Sequence, residues 1–229
     1  MEGVMTMMLP FILSFKLAII TTAALLILGV PVGTWIAYTK SRLTAVADIA
    51  INLLLVLPPS VIGFYLLLLF SPSCGVGKMM KEYFHCEILF TFTGLLIGAV
   101  LFSLPFMVNA VKTGLRAVPR QLIEASYTLG KGKVYTFFAV ILPNAWTAVM
   151  SGAIVCFVHT IGAFGIMLMV GGNIPGKTRV ASIALYHEVE TLHYAAAHGY
   201  SVLLIGITVC ALLVLRRVQD RSSRRAVCQ

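Results

Sequence analysis

The acidic residue with the most telling neighbours in this chain is Glu124. It is followed by the small residues Ala125 and Ser126, then by Gly130 and, twelve positions further on, by Leu142-Pro143. Other residue types that could do chemistry lack the necessary spacing. His85, His159, His187, His193 and His198 do not form the HExxH pattern of a zinc hydrolase, so no metal centre is expected. No Gly-x-x-x-x-Gly-Lys-Ser/Thr phosphate loop occurs, and Gly130-Lys131-Gly132-Lys133 lacks both its spacing and its hydroxyl. The chain is therefore expected to be no enzyme and to carry no cofactor, with energy coming from a partner. Cys156 and Cys210 fall within apolar segments and read as inert packing residues, while Cys228 lies in a basic tail. Cys74 and Cys86 share one external loop, where they form a disulfide or remain two thiols.

The elements that position these residues follow from local chemistry. Pro119 suits the first helical position and Gly130 the residue just past the end, where positive φ is needed. Pro119 to Leu129 therefore reads as one helix, and at about 1.5 Å per residue it is far too short to cross a roughly 30 Å hydrocarbon layer. It must lie outside the membrane, with Leu122, Ile123, Ala125, Ser126 and Leu129 as one weakly apolar stripe for a partner to grip. The rest of the chain is built for lipid. Apolar residues make up 59% and charged ones 11%, with a mean hydropathy of +0.97, so no water-soluble core could bury this composition.

The chain reads as a single all-α, polytopic integral membrane domain over residues 1–229. Spans are expected near 12–39, 49–70, 89–111, 135–160 and 195–215, with a cytoplasmic helix near 117–132 and a basic tail at 216–229. Of the Lys and Arg residues, twelve flank the polar helix, the end of span one and the C-terminus, against five on the other side. The positive-inside rule then puts the polar helix and the C-terminus in the cytoplasm and the N-terminus outside. The net charge of +9 thus signals topology and anionic lipid, not nucleic acid. The long fourth apolar stretch should be a helix followed by a bend and a partly re-entrant segment. After it come a turn-rich external loop over 173–179 and a short surface helix over 180–189. Five spans without an internal repeat make a poor complete pathway, which a homodimer would remedy.

The segment EASYTLGKGKVYTFFAVILP resembles the cytoplasmic EAA loop of ABC-importer permeases: Glu-Ala-Ala, three residues, Gly, and Leu-Pro some twelve residues on. Only Ser126 departs from it, a small residue for a small one. The resemblance implies a type I importer fold and docking of Glu124, Ala125, Ser126 and Gly130, with Leu142 and Pro143, against a separate ATPase. The full assembly would hold two ATPase subunits, an extracytoplasmic oxyanion-binding protein and a second copy of this chain, in the bacterial inner membrane. Val56-Leu57-Pro58-Pro59-Ser60-Val61-Ile62-Gly63-Phe64-Tyr65, Ser103-Leu104-Pro105-Phe106 and Asn173-Ile174-Pro175-Gly176-Lys177-Thr178-Arg179 look like the molybdate-type permeases. Sulfate and tungstate permeases share much of this layout. The class so implied imports an oxyanion, molybdate first, with sulfate or tungstate as the alternative and a self-sufficient carrier or channel as a different class.

Pro58 and Pro59 are expected to break the second span and Pro105 the third, freeing backbone groups that only protein or water can satisfy. These prolines, with His159 and Gly162, are the candidate pathway residues; the competing reading of each proline is a packing kink. Where the resembling family shows Arg-Ser-Leu-Gly-Glu-Phe-Gly, this chain has His159-Thr160-Ile161-Gly162-Ala163-Phe164-Gly165. The Arg and Glu are replaced together, which avoids a stranded charge, since histidine can lose its proton. His159 is left either as a satisfied interior residue or as a pathway residue.

Overall fold

The computed structural model describes residues 2–73, 75–84 and 87–227, so Cys74, His85, Cys86 and Cys228, and with them the disulfide question, lie outside the described residues. The described residues form helices joined by short turns and loops, with no strand among them. Among the described residues, four helices are long and apolar enough to cross a membrane, or five if one bent pair counts as a span.

Helix α1 (Glu2–Tyr38) runs through Pro10 and Pro31 without stopping. Helix α2 (Arg42–Val56) starts on a capping box, in which Ser41 and Thr44 each bond the other's backbone N–H. It ends at the double proline. Leu57 is held extended by the proline after it, Pro58 is extended as well, and Pro59 opens α3 (Pro59–Phe70). Two extended residues in succession turn the chain by 111°. The second span is therefore not one helix over 49–70, because neither half is long enough to cross alone. Helix α4 (Gly75–Phe84) follows.

Helix α5 (Phe92–Arg116) is the axis of the bundle. Thr91 caps it, and Leu95, Ala99, Met107, Val108 and Val111 are fully buried against its neighbours. It corrects one expectation, because α5 passes through Pro105 unbroken. A proline mid-helix is tolerated where neighbouring helices hold the freed backbone, and Pro105 is buried among them. Helix α6 (Arg120–Thr128) has Pro119 as its N-cap, one position earlier than the sequence suggested.

A single turn, α7 (Lys133–Thr136), leads into a π-helical segment, Phe137–Ile141, and then into α8 (Leu142–Gly162). Pro143 does not punctuate this span. The wider π turn precedes it, where an α-helix would set the carbonyl four residues back against the proline ring. α8 seats closely on α5: a Cβ on Gly114 would lie 2.3 Å from the Cβ of Ala148, and one on Gly152 would lie 2.7 Å from that of Ala110. Small residues bring membrane helices into such contact.

The chain then breaks at Ala163 and Phe164, as expected of the fourth stretch, and resumes as α9 (Gly165–Gly171), which packs on α3. Helix α10 (Ala181–Glu190) is a short helix near the expected place, and Ser14 of α1 accepts a 2.8 Å bond from its first N–H. Helix α11 (Tyr194–Val227) continues well past the expected end of the last span, so residues 216–227 of the basic tail are helical. None of its most apolar stretch is buried within the chain. Cys210 is consequently exposed on α11, while Cys156 is buried in the core as expected.

Candidate functional site

The structure sorts the candidates into two places: the outer helix α6 and a cavity where helices break. In α6, Gly130 has φ +73°, Gly130 N–H donates to the Tyr127 carbonyl at 2.9 Å, and Lys131 N–H donates to that of Ser126 at 3.1 Å. This double bond pattern is a Schellman cap, which fixes where the helix stops and where the chain turns. Nothing lies within 4 Å of where a Cβ on Gly130 would be, so the backbone angle alone demands glycine.

The apolar stripe read from the sequence divides in two. Ile123 packs on the core around Leu115 and Ile141, and Ser126, 5% exposed, turns inward to Thr136 at 2.9 Å. Thr136 donates to the Gly132 carbonyl, so the Ser126 hydroxyl is the donor to Thr136. Ser126 therefore holds α6 to its own chain instead of offering itself to a partner. Glu124, Ala125, Leu122 and Leu129 face outward, the last 76% exposed. Leu142 packs in the same core as Ile123, and Pro143 is exposed at the start of α8.

The second place is a cavity of about 360 Å³ lined by Pro59, Phe102, His159, Gly162, Ala163 and Phe164, with Gly165. It forms because two breaks meet there: the bend before α3 and the gap between α8 and α9. Of the candidate pathway residues it gathers Pro59, His159 and Gly162. Pro58 caps α3 without lining it, and Pro105 stays inside α5. His159 lies between the rings of Phe102 and Phe106, each 4.3 Å away between centroids. Its Nδ1 is 3.2 Å from the Ser103 hydroxyl, which is 3.3 Å from that of Thr160, which donates to the Cys156 carbonyl at 2.8 Å. Every proton is used once if Nδ1–H donates to Ser103 and Ser103 to Thr160. A neutral imidazole then keeps Nε2 as an acceptor. His159 is thus hydrogen-bonded inside the bundle through Nδ1 and also borders the cavity. It is the one titratable side chain in an otherwise apolar lining.

Sequence reasoning missed a third cluster. Lys112 of α5 donates to Asp48 of α2 at 2.6 Å; Asn52 donates to the same carboxylate oxygen at 3.0 Å and accepts from Asn109 at 2.8 Å. The signal was present: Asp48 and Asn52 are four apart, and Asn109 and Lys112 three apart, so each pair shares a helix face. Asp48 and Lys112 were weighed in the sequence only for the sign of their charge, which hides their pairing.

A helical bundle of membrane-crossing length, with a capped polar helix outside it and a cavity at paired helix breaks, has the architecture of a membrane permease. Residues 29–227 match the family described as binding-protein-dependent transport system inner membrane component. This protein belongs to that family. It is 39% identical over 208 residues to the molybdenum transport system permease protein ModB of Azotobacter vinelandii, covering 90% of this chain and 92% of that one. ModB of Escherichia coli strain K12 is 30% identical over 203 residues, with 86% and 89% covered. The probable sulfate transport system permease protein cysT of Chlorella vulgaris is 31% identical over 172 residues, covering 75% of this chain and 64% of that one. Among solved structures, a chain of the MetNI methionine ABC transporter matches with a TM-score of 0.76 at 16% identity, covering 97% and 99%.

Proposed function

We propose that this permease is the membrane subunit of an ABC importer that carries molybdate inward, working as a homodimer with two ATPase subunits and an external oxyanion-binding protein. Its 39% identity to a molybdenum permease over nine-tenths of the chain is the observation that carries this reading. The outward-facing residues of α6 supply the mechanical part. Glu124, Ala125, Leu122 and Leu129 form a rigidly capped surface for an ATPase groove, with Ser126 and Gly130 holding its shape. Closure of the ATPase dimer on ATP would draw two such helices together. α5 and α8, which flank α6, would then exchange an inward for an outward opening. The cavity at Pro59, His159 and Gly162 is the proposed stretch of the pathway. In this reading α6 and the C-terminus lie in the cytoplasm and the N-terminus outside, as the charge bias supports.

The resemblance to a sulfate permease supports sulfate as the second substrate to test. Uptake of labelled molybdate by the complex in liposomes, with sulfate and tungstate as competitors and with or without ATP, decides among these readings. ATP-dependent molybdate uptake is expected. Uptake without ATP would sink the importer reading in favour of a self-sufficient carrier. Orientation has its own check: an impermeant maleimide should label Lys177→Cys from outside sealed cells but not Lys131→Cys.

A further inference from the structure

Helix α2 is held to the bundle in an unusual way. Its single buried residue is Thr44, and Leu43, Val46, Ile49, Leu53 and Val56 are all more than half exposed. Leu54 reaches the core only in part. What ties the face of α2 to α5 is polar: Asp48 and Asn52 on one side, Lys112 and Asn109 on the other. The Lys112 and Asp48 side chains are 14% and 31% exposed, so the pair is largely withdrawn from solvent, where separating it would leave charges uncompensated.

The position of this cluster suggests its use. Lys112 lies one helical turn before Arg116, the end of α5, and α6 begins at Arg120. At the other end, Asn52 lies shortly before the 111° bend that delivers Pro59 to the cavity beside His159. A displacement of α6 reaches the end of α5 through the three residues between them. It reaches α2 through the Lys112–Asp48 pair and the Asn109–Asn52 bridge.

We propose that these four residues are a joint that transmits motion of α6 through α2 to the cavity wall at Pro59, positioning residues for transport that do not touch the solute. The inference rests on the transport reading above. A contiguous network is not by itself evidence of coupling, so the test must separate transmission from charge neutralisation.

The experiment uses the full complex in proteoliposomes and reads solute taken up per ATP hydrolysed. Asp48→Asn alone strands Lys112; Asp48→Asn with Lys112→Met leaves no charge stranded. If the pair transmits motion, the double variant stays uncoupled, with the ratio down about tenfold while ATP is still hydrolysed. Recovery of the parental ratio in the double variant would overturn the proposal, since the pair would then only balance charge. Asn109→Ala, which removes the bridge without touching a charge, should lower the ratio two- to threefold; an unchanged ratio also counts against the joint.

A second readout needs no solute. Spin labels at Val46→Cys and Thr113→Cys, in a background freed of native cysteines, should report one α2–α5 distance in nucleotide-free and ATP-bound parent, and a distance that changes in the double variant. A parental distance that changes with nucleotide overturns the joint. Absence of oxyanion uptake by the parent complex overturns the substrate reading and leaves this distance to decide the joint on its own.

Discussion

Two of the contacts that α5 makes, with α8 and with α2, are opposites. Against α8 it is held by shape: Gly114 and Gly152 admit Ala148 and Ala110 with no room for a further carbon, and Val149, Met107 and Cys156 are buried along the seam. Against α2 it is held by a salt bridge and two amides, while most of the α2 surface faces away from the protein. Dispersion contacts of the first kind fall off within an ångström and tolerate no sliding. Charge-assisted and amide bonds of the second kind are directional and hold α2 at one spacing from α5 across a face with little apolar contact. The α5–α8 pair is therefore joined by packing, and α2 by a few polar bonds whose loss would free it.

Filling the seam should have the largest effect. Gly114→Val forces a branched side chain onto Ala148 and is expected to cost about 1–3 kcal/mol or more. The check is the melting temperature and yield of the purified complex; an unchanged protein would mean that α5 and α8 are free to part. Next is Ala125→Trp on the outward face of α6. It lies outside the bundle core, so expression should be normal and uptake lost, and near-normal uptake would remove α6 as the docking surface. Gly130→Ala should come third. It meets no steric neighbour and suffers only the left-handed backbone, at about 1–2 kcal/mol, so uptake should fall several-fold with insertion intact. Ser103→Ala should matter least. It breaks the chain from His159 to Thr160, and interhelical bonds of this kind are worth roughly 0.6 to 1.7 kcal/mol, read as a small loss of thermal stability.

What the sequence made legible was whatever depends on a few consecutive residues. Gly130 announced its positive φ, the two prolines at 58 and 59 their bend, and the length of the fourth apolar stretch the break after α8. Composition announced the membrane. What stayed hidden depends on residues far apart. Ser126 looked like part of a docking stripe because its partner, Thr136, lies beyond the turn that folds it inward. Pro105 looked like a break because the helices that support it come from elsewhere in the chain. Ser103 and His159 are 56 residues apart, and Asp48 and Lys112 are 64 apart, so no window of sequence contains either pair.

The π turn at Phe137–Ile141 adds one residue to what would otherwise be an unbroken helix from Lys133 to Gly162. Each residue of an α-helix advances the phase by about 100°, but the wider π turn takes up its extra residue within itself and keeps what lies before it in phase with α8. Ser126 reaches Thr136 just before the turn, while Gly152 and His159 lie after it. Deleting one of the five residues would let the turn close to α with nearly the same total rotation and rise, because the wider turn already takes up its extra residue locally. α6 would keep its aim, whereas a deletion in the regular helix after the turn would rotate everything before it by about 100°.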